Sequence, residues 1–260
     1  MSSTTESTAL AFHAERLHDD TVWRRLERVA RWMAVKNIIA TFFVYPFRAE
    51  VANKDITERV QALAALGHEI GQHTHFYAGE KLEKPEKIDD LDKTNIIHCL
   101  HRDFQMLRKV GFPPKGFTAG GWFVNATVLD TLVELGFVYD CSAQFPKPRG
   151  SQNSPYNRWL RSPQVHSNAH GRLICLPTTC SLGEWFKWGW KMRREIQTPY
   201  QLICMHDYDL VYFRNRLLLW SFLKQAQGHA LQPSASIAEQ YLKFFQTEEK
   251  QSDFGRYREI

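Results

Sequence analysis

The sequence predicts an α/β fold of mostly parallel strands, on three observations. Short apolar segments alternate with amphipathic helical patterns from the first residues to about Asp140, as parallel strands joined by right-handed crossovers require. The run Ile38-Ile39-Ala40-Thr41-Phe42-Phe43-Val44-Tyr45 is apolar on both faces and closes on Pro46, like a strand covered from both sides. A length of 260 residues without a repeat or linker suits one such domain, spanning 1–260, with residues 1–7 and 248–260 as flexible tails.

In order, Thr8 to Glu15 is expected as a strand with Leu10 and Phe12 on one face. Asp20 is expected to cap a helix to about Lys36, because Trp23, Leu26, Val29, Ala30 and Met33 recur at helical spacing. After the strand ending at Tyr45, Thr57 to Leu66 reads as a helix stopped by Gly67, and Glu69 to His75 as a short strand with its outgoing loop. Charged, Pro85-bearing Gly79 to Asp92 reads as a surface loop. Thr94 to Val110 is helical up to Gly111, Lys115 to Gly120 a strand, Asn125 to Leu135 a helix up to Gly136, and Phe137 to Asp140 a strand. Phe145 to His170 is Pro-, Ser- and Asn-rich and reads as irregular. Leu173 to Pro177 and Gln201 to His206 follow as strands, and Arg214 to Gln225 and Ser236 to Phe245 as helices.

A formal charge of +5 without a compact Lys/Arg run argues against a nucleic-acid partner, while leaving room for peripheral contact with the inner membrane. Five cysteines without C-x-x-C spacing argue against a disulfide framework or zinc knuckle, and suit reduced thiols in the cytoplasm. Met1 to Thr8 lacks the basic and apolar regions of a signal peptide, and no apolar run is long enough for a transmembrane segment.

The most informative stretch is Gly67-His68-Glu69-Ile70-Gly71-Gln72-His73-Thr74-His75. Alternation along an extended segment points the rings of His73 and His75 to one side, where they can hold a divalent metal, most simply zinc, if a third ligand arrives from elsewhere. Ligands in such folds gather at the carboxyl ends of the strands. His13 and Glu15, His73 and His75, and His206-Asp207 all fall there.

Ala40-Thr41-Phe42-Phe43-Val44 followed by Gly67 to Thr74, then Gly116-Phe117-Thr118-Ala119-Gly120-Gly121-Trp122 with Leu135 to Asp140, then Cys204-Met205-His206-Asp207-Tyr208-Asp209-Leu210, resembles the polysaccharide deacetylases (NodB homology, carbohydrate esterase family 4). The resemblance runs from about residue 8 to 245. It implies a distorted (β/α) barrel that removes acetyl groups from sugars, with a divalent metal on one Asp and two His, a carboxylate base, and a late His as acid. With no secretion signal, an intracellular precursor of a surface polysaccharide such as O-antigen or capsule is the expected acylated sugar. A non-catalytic sugar-binding protein and a hydrolase of another small amide are the rival readings.

The sequence departs from that pattern in three places. Where the family carries an Asp pair, strand one ends Phe12-His13-Ala14-Glu15-Arg16, and Asp19-Asp20 comes later. The usual second His of the metal motif is Tyr77, and the usual Arg of the third motif is Thr118. Two assignments stay open: Asp19 as base with Asp20 as ligand, or His13 as base with Glu15 as ligand and Asp20 as a helix cap. The second is preferred, giving Glu15, His73 and His75 to the metal, with His206 as acid and Asp20 held as the alternative catalytic residue. Trp122, Tyr77 and Trp185 are expected to meet the sugar, the last from the Trp-rich stretch Gly183 to Trp190 with its basic followers Lys191, Arg193 and Arg194.

Overall fold

A computed structural model of the chain describes residues 7–76, 92–145, 159–187, 200–226 and 231–256. β1 (Ser7–Ala14) passes through α1 (Asp20–Val35) to β2 (Thr41–Val44), and α2 (Pro46–Val51) and α3 (Thr57–Ala65) lead to β3 (Glu69–Thr74). α4 (Lys93–Val110), β4 (Gly116–Ala119), α5 (Ala126–Glu134) and β5 (Tyr139–Asp140) continue the alternation. β6 (Gln164–Asn168), β7 (Gly171–Cys175), β8 (Cys180–Ser181), α6 (residues 182–187), β9 (Tyr200–His206), α7 (Phe213–Ala226) and α8 (Ser234–Arg256) complete the described chain.

The strands form one sheet in the order β6-β7-β5-β4-β3-β2-β1-β9-β8, parallel except for the antiparallel edge strand β6. β7 and β8 are separated by only residues 176–179, yet β7 pairs with β5 and β8 pairs with β9. One short segment thus touches both ends of the sheet and curls it into the distorted barrel. The backbone N–H of Thr178 bonds Ala143 and that of Thr179 bonds Leu202, stitching the seam on either side.

Alternation along the strands separates two layers. Leu10 and Phe12 of β1 face outward with Phe42 and Val44 onto α1, through Leu26, Val29, Ala30 and Met33. Ala9 and Ala11 face inward with Phe43, Tyr139, Ile174, Leu202 and Cys204. At the amino ends of the strands, α8 closes the barrel with Ile237 and Ala238. Its first turn is fixed there: Glu69 accepts bonds from Thr41, Tyr139 and the Ala235 backbone, a carboxylate set at a helix N-terminus. Among the described residues, no helix is long and apolar enough to cross a membrane.

Several boundaries differ from expectation. β2 starts at Thr41 because Ile38 still bonds back to Met33 through a turn at Asn37. Pro46 does not merely end that strand; it opens α2 from the first helical position, where its missing N–H costs nothing. The polar stretch Phe145 to His170 contains β6, which survives there because an edge strand needs only one neighbour. α8 runs past Phe245 to Arg256, over part of the expected tail, and Ser7 already belongs to β1. Residues 1–6 and 257–260 lie outside the described residues, as do 79–91 of the expected surface loop. All five cysteines are buried and none is in a disulfide among the described residues.

Candidate functional site

The inward-facing row that runs Ala9, Ala11 on β1 ends in His13, and the row Leu202, Cys204 on β9 ends in His206, its neighbour in register. β3 delivers His73 beside Thr118 of β4, and the chain stays extended long enough to bring His75 to the same side. Glu15 follows β1 by one residue. These side chains therefore converge at the carboxyl-end mouth of the barrel because each sits at the same phase of a period-two pattern.

The geometry centres on Glu15. Its Oε1 lies 3.3 Å from His73 Nε2, 3.2 Å from His75 Nε2 and 3.5 Å from His206 Nε2. Nε2 of His73 and Nε2 of His75 are 3.0 Å apart. The His13 ring lies 4.9 Å from that of His73, 5.1 Å from that of His206 and 5.4 Å from that of Trp122. Burial alone would raise the Glu15 carboxyl, but the His73 and His75 imidazoles against it hold it well below the usual carboxylate range. Burial lowers His73 to about 4 and, with His73 and His206 beside it, keeps His13 well below an ordinary imidazole.

A neutral His73 has one ring proton, and its position is fixed: Nδ1 donates to the Thr118 carbonyl at 2.9 Å. Nε2 of His73, Nε2 of His75 and Oε1 of Glu15 then face one another with at most one proton, on His75, among them. A cation would satisfy all three atoms at once. Their mutual spacing is near the roughly 3.3 Å between donors around one zinc-sized ion, and an imidazole pinned through Nδ1 to a carbonyl is the usual support of such a ligand. The donor set fits a divalent metal. A second group, His13, Glu15 and His206, shares Glu15 with the first.

His206 caps the turn that follows it. The Asp209 backbone N–H reaches the His206 side chain, and Asp209 Oδ2 accepts from the His206 backbone N–H at 3.1 Å. This leaves the Nε2 proton facing the site. Burial works against protonating the ring, yet Asp209 and Glu15 outweigh it and raise its pKa. Buried Asp207 accepts the backbone N–H groups of Arg16 and Tyr208, each at 2.8 Å, tying the loop that carries Glu15 to the end of β9. Behind the metal-type ligands, Thr74 donates to buried Asp103, which pairs with Arg102. The His206-Asp207 pair was visible in the sequence; the Asp103–Arg102 support from α4 carried no signal there.

The turn Gly120-Gly121-Trp122 brings Trp122 to the rim with φ of 61°, an uncommon backbone for a bulky residue. Gly120 allows His75 to lie against it, since an added Cβ would come within 2.3 Å of that ring. Other expected residues are not in the cluster. Asp19, not Asp20, caps α1, accepting from the Thr21 and Val22 backbone. Asp20 is exposed on the first turn of α1, paired with Arg59, so neither Asp19 nor Asp20 stands within the His/Glu cluster. Trp185 is a core residue packed on Phe186 and Phe222 rather than a wall of the mouth, because α6 turns its face inward. Tyr77 lies outside the described residues, as do Trp188, Trp190, Lys191, Arg193 and Arg194.

No protein-family model matches the sequence, and no curated protein does. Solved structures match the fold. A Mycobacterium smegmatis structure assigned as a polysaccharide deacetylase aligns with a TM-score of 0.65 at 18% identity over 92% of each chain. A Bacillus anthracis pseudoenzyme of the CE4 family, in a mutant with restored enzymatic activity, aligns at 0.55 and 10% identity over 90% of this chain and 68% of that one. The peptidoglycan deacetylase PdaC from Bacillus subtilis aligns at 0.52 and 13% identity over 97% of this chain and 99% of that one. The fold of this chain is that of the polysaccharide deacetylases of carbohydrate esterase family 4, in a divergent form.

Proposed function

We propose that this chain is a metal-dependent hydrolase that removes an N-acetyl or related acyl group from a sugar during bacterial surface-polysaccharide synthesis in the cytoplasm. The observation that carries it is the acceptor trio of Glu15, His73 and His75, with His73 locked in the tautomer that leaves its inner nitrogen bare. Zinc is the proposed ion because two imidazoles and a carboxylate are its ordinary donors.

A divalent ion held by that trio would polarise an acyl carbonyl and make water acidic. His13, uncharged in its buried position, is the group free to take a proton from the attacking water. His206, whose pKa Asp209 and Glu15 raise, can in its protonated form deliver the Nε2 proton to the departing nitrogen and return to the neutral ring. Asp209 keeps that ring oriented, and Trp122 offers an aromatic wall to a sugar face.

The test is elemental analysis of the zinc-loaded protein alongside acetate release from N-acetylated amino sugars. The parent chain should carry one equivalent of metal, Glu15→Ala should lose it, and Asp20→Asn should keep both metal and activity. A parent chain that binds none, or a metal lost in Asp20→Asn but kept in Glu15→Ala, would overturn the assignment. A second reading, a sugar-binding protein without turnover, is favoured by one observation: the base position on strand one is an imidazole rather than a carboxylate. Full metal occupancy with no acyl release from any sugar would establish it.

A further inference from the structure

Arg16 stands one residue beyond Glu15, on the link between β1 and α1, and its backbone is fixed at both ends. Its N–H donates to Asp207 Oδ2 at 2.8 Å, and its carbonyl accepts from the Asp19 N–H at 3.0 Å. The residue is thus anchored to the end of β9 while remaining exposed. Its side chain has a platform. The Arg16 Cζ lies 4.8 Å from the centre of the Tyr208 ring, and Tyr208 stacks on His206 at 4.7 Å with 20° between the planes. An aromatic face attracts a guanidinium without using up its N–H donors as a carboxylate would. Among the described residues the Arg16 guanidinium makes no ion pair. The acids of this mouth are turned elsewhere: Glu15 to the imidazoles, Asp207 to backbone N–H groups, and Asp209 to His206 and Asn215.

A second cation acts on the same rim. Burial and then the Arg48 charge lower the pKa of His18 from its ordinary 6.5, with Arg16 and Arg59 adding to this and Asp19 opposing it. Arg59 is committed to Asp20 and the Leu17 carbonyl, and Asp19 to the α1 backbone. Arg16 and Arg48 therefore set a positive potential beside the mouth.

We propose that Arg16 is the seat for an oxyanion carried by the sugar, so that this site takes an acidic acylated sugar, bearing phosphate or carboxylate, in preference to a neutral one. The inference rests on the sugar-hydrolase reading for the site and adds the class of sugar. A guanidinium already resting on a ring has less rotamer freedom to lose, and its fork matches two oxygens of a phosphate or carboxylate. A cavity of about 390 Å³, the scale of a small-molecule site, opens beside His206 against the seam, and Arg16 does not line it. The sugar body and its charged group thus have separate places at the mouth.

The experiment is calorimetric titration of the zinc-loaded protein with N-acetylglucosamine, its 1-phosphate, its 6-phosphate and N-acetylglucosaminuronic acid. It is repeated on Arg16→Gln and Arg16→Lys, with zinc content measured in each. In the parent, a phosphate or the uronic acid should bind about tenfold or more tighter than the neutral sugar, the gap narrowing as salt rises. The two kinds of acid distinguish phosphate from carboxylate as the anion. Arg16→Gln keeps both backbone bonds and should bring acidic and neutral sugars level with zinc content unchanged. Arg16→Lys, a charge without the fork, should keep part of the gap. Equal binding of acidic and neutral sugars by the parent, no binding of any of them, or zinc lost from Arg16→Gln would overturn the proposal. So would a preference that survives Arg16→Gln, which would put the anion on the metal. Because binding is read without turnover, the expected ranking with no acetate release would leave this inference standing while the hydrolase reading fails.

Discussion

At Gly120 a single hydrogen stands where any side chain would strike the His75 ring. Gly120→Ala should therefore push His75 off the trio while sparing the fold. Its zinc affinity, measured against a chelator, should fall at least about tenfold, since one misplaced ligand of three removes much of the binding; unchanged affinity would show that His75 is not a ligand. The His73–His75 pair was legible because strand alternation is a local rule, and the rings do share a side. Glu15 and His13 were legible as the polar end of an inward row. Asp20 misled because adjacent acids before a helix look alike in sequence, and only the turn decides that Asp19 caps while Asp20 faces solvent. The aromatic density around Trp185 likewise gave no hint of direction: stacking rings fill a core as readily as they line a sugar site.

Between elements, His68 is the joint to examine. Its Nε2 donates to the Ala30 carbonyl of α1 at 3.0 Å, and its Nδ1 accepts from the Ala40 backbone ahead of β2 at 3.3 Å. The Ala40 bond requires the neutral ring, and burial lowers its pKa from the ordinary 6.5 against the opposing pull of the Ala30 carbonyl. A depressed folded value means the stabilisation is present above pH 6.5 and is lost as pH falls toward the folded value. His68→Ala should cost about 1–3 kcal/mol at neutral pH, chiefly by stranding the Ala40 N–H. It should also remove up to about 1.4 kcal/mol per pH unit of acid sensitivity below that point. Urea unfolding of the metal-free protein at several pH values checks both, and an unaltered pH slope would contradict the assignment. The helices with a clear apolar stripe and a glycine stop were predictable, as at Gly67, whose φ of 84° ends the turn after α3. α2, β6 and β8 were not: they are short, and their existence depends on the neighbours they pack or pair with.

Across the whole molecule, the barrel's two ends carry different burdens. The amino ends of the strands are sealed by α8 through Glu69, Thr41 and Ser234, while the carboxyl ends gather the imidazoles and Glu15. The alternation of strands and helices made the parallel sheet legible, but the sequence held no sign that one segment would bridge its two edges. That seam, Thr178 to Ser181, is also a wall of the cavity beside His206. A guest lodged there would act as a clasp on the hoop, so backbone amides of Thr178, Thr179 and Ser181 should exchange more slowly with deuterium when a disaccharide is bound. Exchange unaffected by a saturating disaccharide would mean that occupancy and closure are independent, and the hoop would owe nothing to its contents.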